Sequence, residues 1–362
     1  MDTTTGAQRF YGGRKIKMTH RNDGEDVDFH RDDILSLDIS ADRKTVVTGE
    51  TGAKPKVCVW NAETGEAVMH FELSAGSRGI SALSISPCGR YVACVDLHND
   101  HRVVVYNIQR NKQLLQMNGS TDRIFDCVWS KRPDDLRFAT GSLKQIAFWH
   151  PADVTKRLKQ PGVLGRQVAS TYFNCCAFDE EGWLYTGGEN GQIQVWADTC
   201  QVVKAMKAHS AQITSIEAVG GKIISGGKDK RIAIIEAKGG NFKLEKFIDL
   251  SASFPKSVDF FNGNLLVGLR NGSIVEFKGA TGGDAAEKNL LSSHFEGEVW
   301  GLELIDGGAK LLTCGDDNQF KEYNTADHSF IRAGKLSDHK PKNKAKEKAV
   351  TASSMSIYPA NQ

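Results

Sequence analysis

One local pattern recurs along this chain, and its spacing constrains the fold more than any other feature. The clearest copy is Thr186-Gly187-Gly188-Glu189-Asn190-Gly191-Gln192-Ile193-Gln194-Val195-Trp196. Asn190-Gly191 supplies the positive φ that a tight hairpin turn needs, and Ile193, Val195 and Trp196 alternate with polar Gln192 and Gln194. Aligning the copies on the bulky residue that closes the third strand of each gives Trp60, Tyr106, Trp149, Trp196, Ile235, Phe277 and Tyr323. The spacings are 46, 43, 47, 39, 42 and 46 residues, which is the length of one four-stranded sheet in a radially repeated architecture. Seven anchors predict seven sheets.

The remaining strands of each unit are legible too. Ile34-Leu35-Ser36-Leu37-Asp38-Ile39, Thr45 to Gly49 and Lys56 to Trp60 form the first unit. The fifth is the most regular, with His209, Ile213 to Ile216, Ile223 to Gly227, Asp229 and Ile232 to Ile235. Short β-branched runs bounded by Gly, Asn and Asp are strands rather than helices. A single such sheet leaves apolar faces uncovered, and radial stacking buries each face against the next sheet. The expectation is an all-β, seven-bladed β-propeller over residues 1–334. Within it, 14–29 reads as a polar insertion loop, and Pro151 to Gln167 as a basic connection at the edge of the ring. Gln8 to Tyr11 and His328 to Arg332 both read as outer strands competing for one place in the last blade. Residues 335–362 read as a Lys-rich linker or tail, because six Lys face only Asp338 and Glu347 between Lys335 and Lys348.

The 362 residues are 40% hydrophobic and 25% charged, with net charge +2, the balance of an ordinary globular chain. No apolar run approaches the roughly 20 residues of a membrane helix. Met1-Asp2-Thr3-Thr4-Thr5 carries no signal-peptide core, so the chain reads as cytosolic with no membrane partner. The eight Cys contain no C-x-x-C pair and read as buried reduced thiols, not as disulfides or a zinc site.

Catalytic patterns are missing from the sequence. Gly226-Gly227-Lys228-Asp229 lacks the spacing and the hydroxyl of a phosphate-binding loop. Neither His-Glu-x-x-His nor Gly-x-Ser-x-Gly occurs. Asp32-Asp33, Asp134-Asp135 and Asp316-Asp317 sit in turns or strand entrances, not converging on a cleft. The reading is a non-enzymatic protein with no cofactor and no metal. His30, His209 and His294 precede first strands, and with Ser225 or Thr313 and Asp229 or Asp317 they suit structural hydrogen-bond networks. No unit holds His, Ser/Thr, Asp and Trp together: the first lacks the Asp, the fourth the His, and the fifth has Ile235 for Trp. A charge-balanced ring and a tail without aromatics before Tyr358 argue against a nucleic-acid partner.

The repeats resemble the WD-repeat superfamily across essentially the whole chain, so the expected fold is a seven-bladed WD-repeat β-propeller. Gln8-Arg9-Phe10-Tyr11 with His30-Arg31-Asp32-Asp33-Ile34-Leu35 resembles the opening of the first propeller in echinoderm microtubule-associated protein-like (EMAP-like) proteins. Ile124-Phe125-Asp126-Cys127-Val128-Trp129-Ser130, Phe138-Ala139-Thr140 and Ile146-Ala147-Phe148-Trp149 are similar to that family's third unit. His294-Phe295-Glu296-Gly297-Glu298-Val299-Trp300-Gly301-Leu302 resembles a further family segment, and Ser354 to Pro359 the passage into a second propeller. The resemblance implies binding to tubulin or microtubules, in the cytoplasm, the cytoskeleton or a cilium. The chain then reads as one ring of a two-ring assembly, or as a divergent single-ring member. A general WD-repeat scaffold for other proteins is the alternative.

Loops on a rigid support are where a propeller meets its partners. The candidate contact residues are those at first-strand entrances: Arg31, Arg78, Arg123, Tyr172, Gln212, Lys256 and Glu298. Lys340, Lys342, Lys344, Lys346 and Lys348 of the tail would add attraction for acidic surfaces.

Overall fold

The computed structural model describes His30 and residues 32–152, 155–165, 172–238, 241–261, 263–280, 287–292, His294, 299–315, Asp317, 319–327 and 329–335. They form seven four-stranded sheets, each with its strands side by side in chain order. The first strands are Ile34–Ile39, Ile80–Ile85, Ile124–Trp129, Phe173–Phe178, Ile213–Val219, Pro255–Phe261 and Val299–Ile305. The seven anchors lie in the third strands Lys56–Asn61, Arg102–Asn107, Ile146–Trp149, Gln192–Trp196, Arg231–Lys238, Ile274–Phe277 and Gln319–Asn324. This is the all-β, seven-bladed architecture that the spacing predicts.

Two compact units divide these residues, the first with sheets one to five, the second with sheets six and seven and Lys230–Ile232. In the first unit, the first strand of each sheet packs against that of the next. One apolar cluster fills each gap between neighbours. Val47, Val57 and Phe71 meet Ile80, Leu83 and Val92 between sheets one and two. Val103 and Val105 meet Cys127, Trp129 and Trp149 between two and three. Phe148 meets Phe173, Phe178 and Trp196 between three and four, and Tyr185 and Val195 meet Ile213, Ile223 and Ile235 between four and five. Runs such as Val103-Val104-Val105 are apolar throughout because both faces of the sheet are covered.

Register shifts recur at two fixed places. All seven first strands slip against the second strand just after they begin. The extra residue of each such bulge is left out of the ladder and its side chain is re-aimed. On the outer strands the extra residues Val68, Leu114, Val203 and Ile331 fall opposite the third-strand bulky residue. All four are exposed. They break the flat edge that would otherwise template pairing with another chain.

The connection expected over Pro151 to Gln167 holds a strand: Lys159–Pro161 is the fourth strand of sheet three, paired to Ala147–Trp149. Three residues ending in Pro give too short a run to show alternation, and Pro is tolerated at a sheet edge. Phe330–Lys335 takes the fourth place in sheet seven. Gln8 to Tyr11, the 14–29 loop and residues 336–362 lie outside the described residues. The Cys are free thiols, all buried except half-buried Cys88, and burial pushes those of Cys127, Cys175 and Cys176 well above the ordinary range.

Candidate functional site

Arg78, Arg123, Tyr172 and Gln212 precede the first strands of sheets two to five in the first unit. Because those strands are mutual neighbours, the four residues line one rim. Main-chain bridges from Thr51 to Gly79 and from Leu143 to Tyr172 tie the rim to the turn of the preceding sheet. Within sheet five, Lys228 N donates to Gln212 O at 2.8 Å. Arg78 donates through Nε to Leu97 O and through Nη2 to Asn99 Oδ1, each at 3.1 Å. The Arg123 guanidinium carbon lies 5.6 Å from the Phe125 ring centroid. Tyr172 tilts against the same ring at 6.4 Å and is 37% exposed. Lys256 is exposed in sheet six of the second unit. Arg31, Glu298 and Lys340, Lys342, Lys344, Lys346 and Lys348 lie outside the described residues.

The histidine networks form as their chemistry requires. A carboxylate can only accept, so the His209 Nδ1–H donates to Asp229 Oδ1 at 3.0 Å, and Nε2 accepts the Ser225 hydroxyl at 2.9 Å. In sheet seven, His294 Nδ1 meets Asp317 Oδ1 at 2.7 Å and Nε2 meets Thr313 Oγ1 at 3.0 Å. Sheet one lacks the Asp, as expected, and has Glu50 in that role. His30 Nδ1 donates to Glu50 Oε2 at 3.1 Å, Nε2 accepts from Thr48 at 2.6 Å, and Trp60 Nε1 donates to Thr48 at 2.7 Å. Glu50 Oε1 also accepts Lys56 N at 3.0 Å. In sheet four, which lacks the His, Thr186 accepts from Trp196 Nε1 and donates to Gln194 Oε1, both at 3.0 Å.

Glu50→Ala should therefore strand two buried N–H donors, at a cost of about 1–3 kcal/mol. Glu50→Gln keeps an acceptor and should lose less. Urea midpoints of the two variants test the ranking, and equal midpoints would contradict it.

Two carboxylates join neighbouring first strands. Asp38 Oδ2 accepts Ser84 Oγ at 2.8 Å and Ile85 N at 2.9 Å. Ser84 O in turn accepts Trp129 Nε1 at 3.0 Å, so sheets one, two and three are linked. Asp126 Oδ2 accepts Cys176 N at 2.7 Å. Each residue is half-buried by exposed area, yet protein encloses the carboxyl. Desolvation raises Asp38 to about 6 and Asp126 to about 7, partly offset by these hydrogen bonds. Glu217 adds repulsion toward both. It is held by Lys131 Nζ at 2.5 Å.

A cleft of about 350 Å³ near Asp134, Asp135, Arg137, His150 and Lys156 is also polar. Its buried Arg137 is matched by Asp135 at 2.8 Å and Asp198 at 2.6 Å, so little charge is left for a ligand. Among the described residues no three His, Cys, Asp or Glu converge as a metal would need.

Comparison with known proteins supplies the family. Residues 29–257 match the family model described as echinoderm microtubule-associated protein first beta-propeller. The chain is similar to the ciliary WD repeat-containing protein ctxp80 of Euplotoides octocarinatus, 34% identical over 321 residues covering 88% of this chain and 43% of that protein. It is also similar to the 77 kDa echinoderm microtubule-associated protein of Strongylocentrotus purpuratus, 27% identical over 305 residues covering 80% and 43%. The chain thus spans less than half the length of these relatives. Among solved structures, the Myceliophteria thermophila Cps50 (Swd1) beta-propeller domain superposes with a TM-score of 0.61 at 15% identity, over 84% of this chain and 97% of that one. That likeness is one of fold alone, the β-propeller. On the match over 29–257, the chain belongs to the echinoderm microtubule-associated protein family, in the part of it that forms the first β-propeller.

Proposed function

We propose that this chain is a non-enzymatic binding module of the microtubule cytoskeleton, acting in the cytoplasm or in a cilium. The observation that carries the reading is the family match over residues 29–257, supported by relatives named for microtubule association and for cilia. The structure adds a physical reason for a binding role. Stacked sheets hold short loops rigidly, so contact side chains lose little freedom on association. In this reading residues 1–334 form the propeller, and 335–362 are a linker leading toward a second one. The first-strand entrances supply specific contacts, and the Lys-rich tail adds screened attraction to an acidic polymer.

Co-sedimentation with stabilised microtubules at low and high salt tests the proposal. The full chain should pellet at low salt and be released as salt rises. Truncation after residue 334 should weaken pelleting without abolishing it. A chain that stays in the supernatant at every salt concentration, with its fold confirmed by circular dichroism, would refute the reading.

A further inference from the structure

We propose that Arg78, Arg123, Phe125 and Tyr172 form a docking site for an extended acidic peptide. The proposal deepens the functional reading by naming the chemistry of the bound segment. It rests on that reading only for which polymer carries the segment.

The first observation is the residue at the sheet-three bulge. Ile124 pairs with Ser142 and Asp126 with Gly141, so Phe125 is the extra residue of the sheet-three bulge. In sheets two and five the corresponding extra residues are Ser81 and Thr214. Their hydroxyls donate back to Val95 O at 3.2 Å and to Gly226 O at 3.1 Å. A phenyl ring has no such use. Phe125 instead stands between Arg123 and Tyr172, and a large aromatic there is not required to close the strand.

Charge is the second observation. Arg78 is steered by a carbonyl and an amide oxygen, and Arg123 by an aromatic face. Among the described residues neither is paired with a carboxylate, so no acid partner offsets either charge. A guanidinium held this way offers paired donors to an incoming carboxylate. Tyr172 adds exposed apolar surface and a hydroxyl at little cost in side-chain entropy. The acids nearby limit the ligand. Exposed Asp122 adjoins Arg123 in sequence, and Asp100 lies 3.6 Å from His98. A nucleic-acid strand, charged at every residue, would meet these acids, whereas a peptide can space its carboxylates to fit the two Arg.

Fluorescence anisotropy with labelled poly-L-glutamate, at low salt and on the full chain, tests the site. Arg78→Glu and Arg123→Glu should each weaken binding by about tenfold, a loss typical of one charge-assisted contact. Tyr172→Ala should weaken it by about threefold without changing the salt dependence, whereas Tyr172→Phe should retain the apolar part of the contact. Asp122→Asn should tighten it. Lys112→Glu, on the exposed fourth strand of sheet two, should leave it unchanged. Urea midpoints near wild type would show that the variants fold.

Wild-type-like affinity in both Arg variants, an equal loss in the Lys112 variant, or tighter binding of oligothymidylate than of poly-glutamate would overturn the proposal. The two readings fail separately. A chain that pellets with microtubules but ignores poly-glutamate refutes the docking site and leaves the functional reading standing. One that binds poly-glutamate through the rim but does not pellet does the reverse.

Discussion

Trp196→Ala is expected to lower the stability of the first unit by about 3–5 kcal/mol, the cost of emptying a large buried aromatic site. The indole is fully buried between Phe148, 6.0 Å away, and Phe173, 5.9 Å away, and bonds Thr186 at 3.0 Å. The site cannot easily collapse, because backbone already touches the ring. A Cβ added at Gly162 would lie 2.6 Å from it. Trp196→Phe keeps most of the volume and loses the hydrogen bond, so it should cost about 1–2 kcal/mol. Gly162→Ala should also destabilise, by pushing on the ring from the other side. Urea unfolding followed by far-UV circular dichroism would rank the three. A Trp196→Ala midpoint close to wild type would show that this residue does not hold sheets three and four together.

The second large effect is a stability that falls as pH rises. Asp38 titrates at about 6 and Asp126 at about 7 in the folded chain, against roughly 3.9 when unfolded. Below the unfolded value both carboxyls are protonated in both states. Between the two values the unfolded chain has released protons that the folded chain still holds, so stability declines with pH. Above about 7 both are ionised and the contribution is gone. The decline across this window should total a few kcal/mol, since each tenfold change in a group's proton affinity on folding is worth about 1.4 kcal/mol. Asp126→Asn removes one of the two groups and should flatten the slope, although its one amide oxygen cannot accept from both Cys127 N and Cys176 N as the carboxyl does. Urea midpoints between about pH 4 and about pH 7, the span of this decline, measure both slopes. A wild-type stability that rises over this range, or an Asp126→Asn slope equal to it, would contradict the assignment.

Different parts of the fold were legible for different physical reasons. Trp60, Trp149 and Trp196 could be read because a large aromatic at a fixed spacing has one use in a stacked sheet. Glu50 could not, because the expected acid is an Asp in the turn between the second and third strands. Here a longer side chain reaches the same His30 nitrogen from the end of the second strand. Phe125 was hidden by the bulge, since a one-residue slip reverses which side chains face inward, and that slip is set by pairing. Asp38 and Asp126 occupy alternating positions that look solvent-facing in a single strand. Only the packing of one first strand on the next encloses them. That Arg78, Arg123, Tyr172 and Gln212 stand at first-strand entrances is legible from position alone. The Arg123–Phe125–Tyr172 contact needed coordinates.

Hydrogen–deuterium exchange of the chain alone and bound to microtubules tests the central claim most directly, because it asks both whether the chain binds and where. The account predicts slowed exchange at the segments leading into the first strands of the first unit, around Arg78, around Arg123 and at Tyr172. The outer strands Lys112–Asn118 and Val202–Lys207 should exchange as in the free chain. Protection confined to those outer strands, or identical exchange with and without microtubules, would contradict it.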